Sequence, residues 1–243
     1  EDINRNIYDI KNEDNYEFKM KKGLDKKIVE EISAMKNEPE WMREFRLKAL
    51  EVYEKLDLPT WGPDISELNM EEIATYVKPK TNLSTSWDDV PEDIKSTFDK
   101  LGIKEAEKAS LAGVGAQYDS EVVYHSMKEE LIKQGVIYTD METAVREYPE
   151  IVKEHFMKCV PVSDHKFAAL HGAVWSGGSF VYVPKNVKVD IPLQSYYRLN
   201  SPESGQFEHT LIIVDEGASL HFIEGGSAPK YNKVNLHAGC VEL

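Results

Sequence analysis

Val183-Pro-Lys-Asn-Val-Lys-Val-Asp190 and Val214-Asp-Glu-Gly-Ala-Ser-Leu-His221 align with one another position by position. Each opens on an apolar strand end, passes two polar residues and reaches Asn186 or Gly217. Asn and Gly are the residue types that best tolerate a left-handed backbone. Alternation then resumes as Val187/Val189 and Ala218/Leu220. A repeated strand–turn–strand unit is what a β-solenoid or a cupin-like barrel would show, and two copies do not decide between them. The surroundings share this grammar. After Pro161, Val, Ile, Tyr and Phe gather in short runs punctuated by Gly, Pro and Asn, which predicts strands over 168–175, 179–183, 187–191, 193–199, 210–214, 219–223 and 234–243. The last run alternates like a strand and then stops without turn, cap or polar tail. It predicts an unpaired edge and a chain that is the front part of a longer β-rich protein.

Upstream the period changes. Residues 1–18 are rich in Asn, Asp, Glu and Lys and read as a flexible tail. Leu24, Ile28, Ile32 and Met35 recur at helical spacing, and Pro39 suits the first turn of a second helix carrying Trp41, Phe45, Leu47, Leu50 and Val52. Shorter helices are predicted near 70–77 and 91–101, another over 119–134 ending at Gly135, and one capped by Thr139 with Glu142 three residues on, broken near Pro149. The organisation is therefore a tail at 1–18, a helical region at 19–160 and a β region from 161 to 243.

Composition removes several function classes. The net charge of -14 argues against a general nucleic-acid or anionic-membrane binder. No apolar run approaches a membrane span, and the opening Glu1-Asp-Ile-Asn-Arg5 is no signal peptide. Two cysteines, Cys159 and Cys240, do not make a disulfide framework or a C-x-x-C zinc site, and they fit a reducing cytoplasm.

Few constellations suggest chemistry. Gly113-Val-Gly115 lacks the third glycine of a dinucleotide loop, because position 118 is Tyr118, and reads as a tight loop. Trp175-Ser-Gly-Gly-Ser179 reads as a bend where backbone approaches backbone. His209, Glu216 and His221 could suggest a cupin-like metal protein, but the paired His-x-His is missing. Gln194, Tyr196, Arg198 and Asn200 share one strand face by alternation. That face is either solvated or holds buried polar groups that need partners. Cys240 and His237, three apart on a strand, fall on opposite faces and are no nucleophile–base pair.

Longer stretches carry a resemblance. Gly113-Val-Gly-Ala-Gln-Tyr-Asp-Ser-Glu-Val-Val-Tyr-His125, Ala173-Val-Trp-Ser-Gly-Gly-Ser-Phe-Val-Tyr-Val-Pro184, Asp190-Ile-Pro-Leu-Gln-Ser-Tyr-Tyr-Arg-Leu-Asn200 and Gly205-Gln-Phe-Glu-His-Thr-Leu-Ile-Ile-Val-Asp-Glu-Gly217 resemble the SufB/SufD family, and SufB within it. The likeness runs from about residue 20 to the end. It implies an α+β fold in which an N-terminal helical region leads into the first coils of a right-handed parallel β-helix, a solenoid truncated at the C-terminus, and it displaces the cupin reading. It implies a scaffold for iron–sulfur cluster assembly that is not itself an enzyme. The expected partners are the SufC ATPase, which hydrolyses the ATP, SufD or a second SufB, and a cysteine desulfurase with its SufE- or SufU-type sulfur carrier. Neither nucleic acid nor membrane is an expected partner. The implied cofactor is a transient iron–sulfur cluster in the full-length complex, with none expected in this stretch alone, since the family's cluster ligands would lie beyond Leu243. Arg198 and Asn200 match family positions assigned to an internal sulfur channel. The family's sulfur-accepting Cys is absent: Glu224-Gly-Gly-Ser-Ala-Pro229 places Gly226 there. Cys240, one short link later, is the candidate substitute. The competing expectation is an inert structural module that only presents a surface to partners.

Overall fold

The computed structural model describes residues 5–103 and 111–243. After a 3₁₀ turn at Arg5–Asp9 come β1 (Tyr16–Lys19), α1 (Lys26–Met35), α2 (Glu40–Lys55), β2 (Val77–Pro79) and α3 (Glu92–Lys100). Then follow β3 (Gly113–Tyr118), β4 (Glu121–Met127), α4 (Glu129–Lys133), β5 (Ile137–Asp140), α5 (Met141–Glu147), α6 (Pro149–His155) and α7 (Lys166–Val174). The remaining strands are β6 (Ser179–Val183), β7 (Lys188–Arg198), β8 (Gly205–Gln206), β9 (His209–Val214), β10 (Ser219–Ser227), β11 (Leu236–His237) and β12 (Cys240–Glu242).

The β-helix expectation is corrected here. The strands form four separate small sheets, of order β1-β2, β10-β7-β3-β4, β11-β8 and β12-β9-β6-β5. Both four-stranded sheets are mixed, with β4 and β5 as antiparallel edges, and they are neither closed nor curled into a solenoid. The fold is a mixed α/β arrangement. Nor is the N-terminal stretch purely helical, since β1 to β5 lie within it and β3, β4 and β5 complete the two larger sheets. The repeat read from the sequence is nonetheless real. Val183 is the parallel register partner of Val214, and Asn186 and Gly217 both adopt left-handed φ, 64° and 70°.

Four local readings also change. Residues 168–175 form most of helix α7, not a strand. This helix is buried on every side, so its apolar run carries no period to read. The His165 side chain caps it, accepting from the N–H groups of Phe167 and Ala168. Residues 119–134 are not one helix. Val122, Val123 and Tyr124 favour a strand, and Asp119 turns the β3–β4 hairpin at φ 51°. Gly113–Tyr118 is not a loop but a fully buried central strand. A Cβ at Gly113 would sit 2.7 Å from the Ser126 carbonyl, and one at Gly115 2.8 Å from the Tyr138 hydroxyl, so these glycines serve packing, not phosphate. The cap of α5 is Asp140, not Thr139. Asp140 accepts from the Thr143 N–H at 2.8 Å, while Glu142 instead accepts from the Gly177 N–H at 2.8 Å.

Helices α1, α2 and α7 pack through Ile28, Ile32, Ala49, Leu50, Leu170 and Val174. The two larger sheets pack face to face, with Val181, Val183, Val189, Leu193 and Ile212 between them. Among the described residues no helix is long and apolar enough to cross a membrane.

Candidate functional site

Beside that apolar layer the facing sheets share a polar seam. Alternation on β7 turns Leu193, Ser195 and Tyr197 towards the opposite sheet, so two polar side chains follow an apolar one into the interior. The Tyr138 hydroxyl on β5 lies 2.6 Å from Ser195 Oγ, which lies 2.6 Å from Ser179 Oγ on β6. Ser179 Oγ is 2.9 Å from the Tyr197 hydroxyl, which is 3.0 Å from Thr210 Oγ1 on β9. Thr210 donates to Glu224 Oε2 on β10 at 2.6 Å. Each link except the Ser195–Ser179 and Thr210–Glu224 steps has a tyrosine at one end, and the line as a whole passes back and forth between the two sheets. Burial pushes the phenols of Tyr138 and Tyr197 up, so both stay protonated and able to donate. Burial also raises the Glu224 carboxyl.

Arg198 and Asn200 are buried as well, but the structure does not bring them into this seam. Arg198 alternates to the other face of β7, where it meets the N-terminal segment. Its guanidinium donates to Ser227 Oγ at 2.9 Å, to the Tyr8 carbonyl at 2.9 Å and to the Ile10 carbonyl at 2.5 Å. Its Nε has no hydrogen-bond partner among the described residues. The Asn200 N–H donates to Asp119 Oδ1 at 2.7 Å, and Asn200 Oδ1 accepts from the Asn12 N–H at 3.1 Å. Residues 8–12, read as tail from composition, thus cover the pair.

Gly226 is exposed on the edge strand β10, opposite Tyr197 in register. A Cβ built there would meet nothing nearer than the Tyr197 carbonyl at 3.7 Å and His237 Cε1 at 4.0 Å. Position 226 therefore has room for a side chain and needs no positive φ. Cys240 belongs to the other sheet, buried and in parallel register with His209. Burial, then the nearby Glu242, pushes its thiol up to about 12. His209 is buried, whereas Glu216 pairs with Lys185 in solvent and His221 is exposed, so these three do not converge. His237 lies between the Gly226 and Cys240 regions, with Nε2 2.5 Å from Glu208 Oε1. The Glu208 hydrogen bond raises its pKa. The seam residues Tyr138, Ser179, Ser195, Tyr197 and Thr210 were missed in the sequence. Their only signal is hydroxyl groups standing at interior positions of strands.

A family model described as the SufBD protein N-terminal region matches residues 26–195. The chain belongs to the SufBD family. An iron–sulfur cluster assembly SufBD family protein of Staphylococcus haemolyticus is 56% identical over 242 residues, covering 100% of this chain and 52% of that relative. Its counterpart in Staphylococcus aureus strain MRSA252 is 55% identical with the same coverage. The chain spans about half the length of the curated relatives it matches. Family membership bears out the resemblance carried by the motifs around Gly113, Trp175, Arg198 and Glu208.

Proposed function

We propose that this SufBD chain forms part of a non-enzymatic scaffold for iron–sulfur cluster assembly, working with an ABC-type ATPase and a desulfurase-fed sulfur carrier. The observation that carries the reading is the seam from Tyr138 to Glu224. It is a line of buried hydroxyls held between two sheets, ending on the exposed carboxylate of Glu224, two residues from Gly226. Hydroxyl donors in a site shielded from water stabilise an anionic sulfur species without a competing nucleophile. Depletion of the full-length gene product in its host tests this. Aconitase and other iron–sulfur enzymes should lose activity while enzymes without clusters keep it, and wild-type complementation should restore them. Unchanged iron–sulfur enzyme activity on depletion sinks the reading.

A second reading, a structural and interaction module that accepts no sulfur, is favoured by Gly226 and by the buried, protonated Cys240. Intact-protein mass spectrometry after incubation with desulfurase and carrier separates the two. Sulfur added on Cys240 supports the acceptor role, and its absence leaves the structural module.

A further inference from the structure

His171, His209 and Cys240 come from three elements, α7, β9 and β12, and their ligand-type atoms all lie within 4.8 Å of one another. Their hydrogen bonds fix which nitrogens are free. His171 Nδ1 is 2.9 Å from the Ala238 carbonyl, which can only accept, so Nδ1 carries the proton and Nε2 is a lone pair. His209 Nε2 is 2.9 Å from Glu242 Oε1. Glu242 Oε1 also accepts from the Met157 N–H and Oε2 from the N–H groups of Cys159 and Val160, so both oxygens serve as acceptors, as in a carboxylate. An ionised carboxylate accepts, so His209 Nε2 carries the proton and Nδ1 is a lone pair. The two lone-pair nitrogens, His171 Nε2 and His209 Nδ1, face each other at 2.8 Å. Turning either tautomer over would set a lone pair against the Ala238 carbonyl or the Glu242 carboxylate. Two facing lone pairs repel, and a cation between them converts the contact into two bonds.

We infer that His171 Nε2, His209 Nδ1 and Cys240 Sγ form a binding site for a divalent first-row transition cation of the zinc or iron(II) class. Two imidazoles and a thiolate are a mixed nitrogen–sulfur set suited to such ions. Tetrahedral bonds of about 2.0–2.1 Å to nitrogen place two ring nitrogens about 3.3 Å apart, so the rings need to open by roughly half an ångström. Glu242 holds His209 as a carboxylate holds a metal-bound imidazole, and the Ala238 carbonyl does the same for His171. Phe156 and Trp175 wall the His209 ring, with centroids 4.2 and 6.2 Å away. On the open side, a cleft of about 190 Å³ lined by Val160, His165, Phe167, His171, Gly239 and Cys240 leads from solvent. Both Glu242 oxygens hold other donors, so a fourth ligand would be water entering through this cleft. On binding, the Cys240 thiol releases its proton to solvent and the neutral imidazoles release none.

The inference does not depend on the role in cluster assembly, and its test reads metal, not assembly. Chelator-treated full-length protein is titrated with Co²⁺ alone. One equivalent should produce a thiolate-to-cobalt charge-transfer band that Cys240→Ser loses and Cys159→Ser keeps. In the wild-type protein, which needs no substitution to fold, one equivalent of Zn²⁺ should slow mass-mapped alkylation of Cys240 at least tenfold and that of exposed Cys159 less than twofold. Identical cobalt spectra for wild type and Cys240→Ser, or a Cys240 alkylation rate that Zn²⁺ does not change, overturn the site and leave a proton-shared histidine pair.

Discussion

Glu242 Oε1 accepts from His209 Nε2 at 2.9 Å and from the Met157 N–H at 2.6 Å, so one carboxylate oxygen ties β9 to the turn after α6. The other oxygen accepts from the N–H groups of Cys159 and Val160, at 2.8 and 3.1 Å. Met157 has a left-handed φ of 49°, a conformation that a non-glycine residue holds only when its surroundings enforce it. Glu242→Ala removes the acceptor and leaves these donors without it. Stability should fall by about 2–4 kcal/mol, measured by urea unfolding of the full-length protein. A loss below roughly 0.5 kcal/mol would show that water replaces the carboxylate.

Tyr197 is the hub of the seam, since its hydroxyl meets Ser179, Thr210 and Glu224. Tyr197→Phe keeps the ring and removes only the oxygen. The expected cost is about 1–2 kcal/mol, because Ser179 loses a partner in a buried place while Thr210 still reaches Glu224. Paired denaturation curves for Tyr197→Phe and for Thr210→Val measure it. Their double mutant should cost less than the sum of the two, as expected for groups in one network.

The distance between what the sequence displays and what the chain does has a physical pattern. The turn at Asn186 and Gly217 was legible because only a few residue types accept a left-handed φ. The bend at Trp175–Ser179 was legible for a related reason: a Cβ at Gly178 would lie 2.0 Å from the His209 carbonyl oxygen. Helix α7 was illegible as a helix because full burial erases the amphipathic period. The β-helix expectation overreached because a repeat fixes which strands pair, Val183 with Val214, but not how sheets curl or which upstream strands close their edges. The His171–His209–Cys240 cluster was illegible because its members come together only in space. His171 sits inside a run that reads as plain apolar core.

His125 makes stability depend on pH. Its Nε2 is buried with no hydrogen-bond partner among the described residues, and its ring lies 4.4 Å from that of Tyr138. Burial lowers its pKa to about 4. The unfolded chain therefore binds a proton to this ring at a higher pH than the folded chain does. The contribution is fully present above about pH 6.5 and is lost as pH falls towards 4. Between pH 7 and pH 4.5 the loss should be on the order of 2 kcal/mol. His125→Phe should flatten that part of the profile in urea unfolding at the two pH values. An unchanged slope would mean the ring is hydrated in the folded state.

Two glycines separate space from strain. Gly226 has an ordinary φ and nothing within 3.4 Å of a built Cβ, whereas Gly178 has φ 94° and a built Cβ there lies 2.0 to 2.5 Å from the His209 backbone. Gly226→Cys should fold with a stability change within about 1 kcal/mol, since the backbone is unstrained and the neighbours need not move. Its exposed thiol should be alkylated faster than the buried Cys240, which mass-mapped labelling would show. Gly178→Ala should cost more than about 3 kcal/mol or prevent folding, because the added methyl meets backbone that cannot yield. Near-equal unfolding midpoints for the two variants would mean that the His209 backbone can retreat from Gly178. In that case the close approach of these strands would not be what makes Gly178 a glycine.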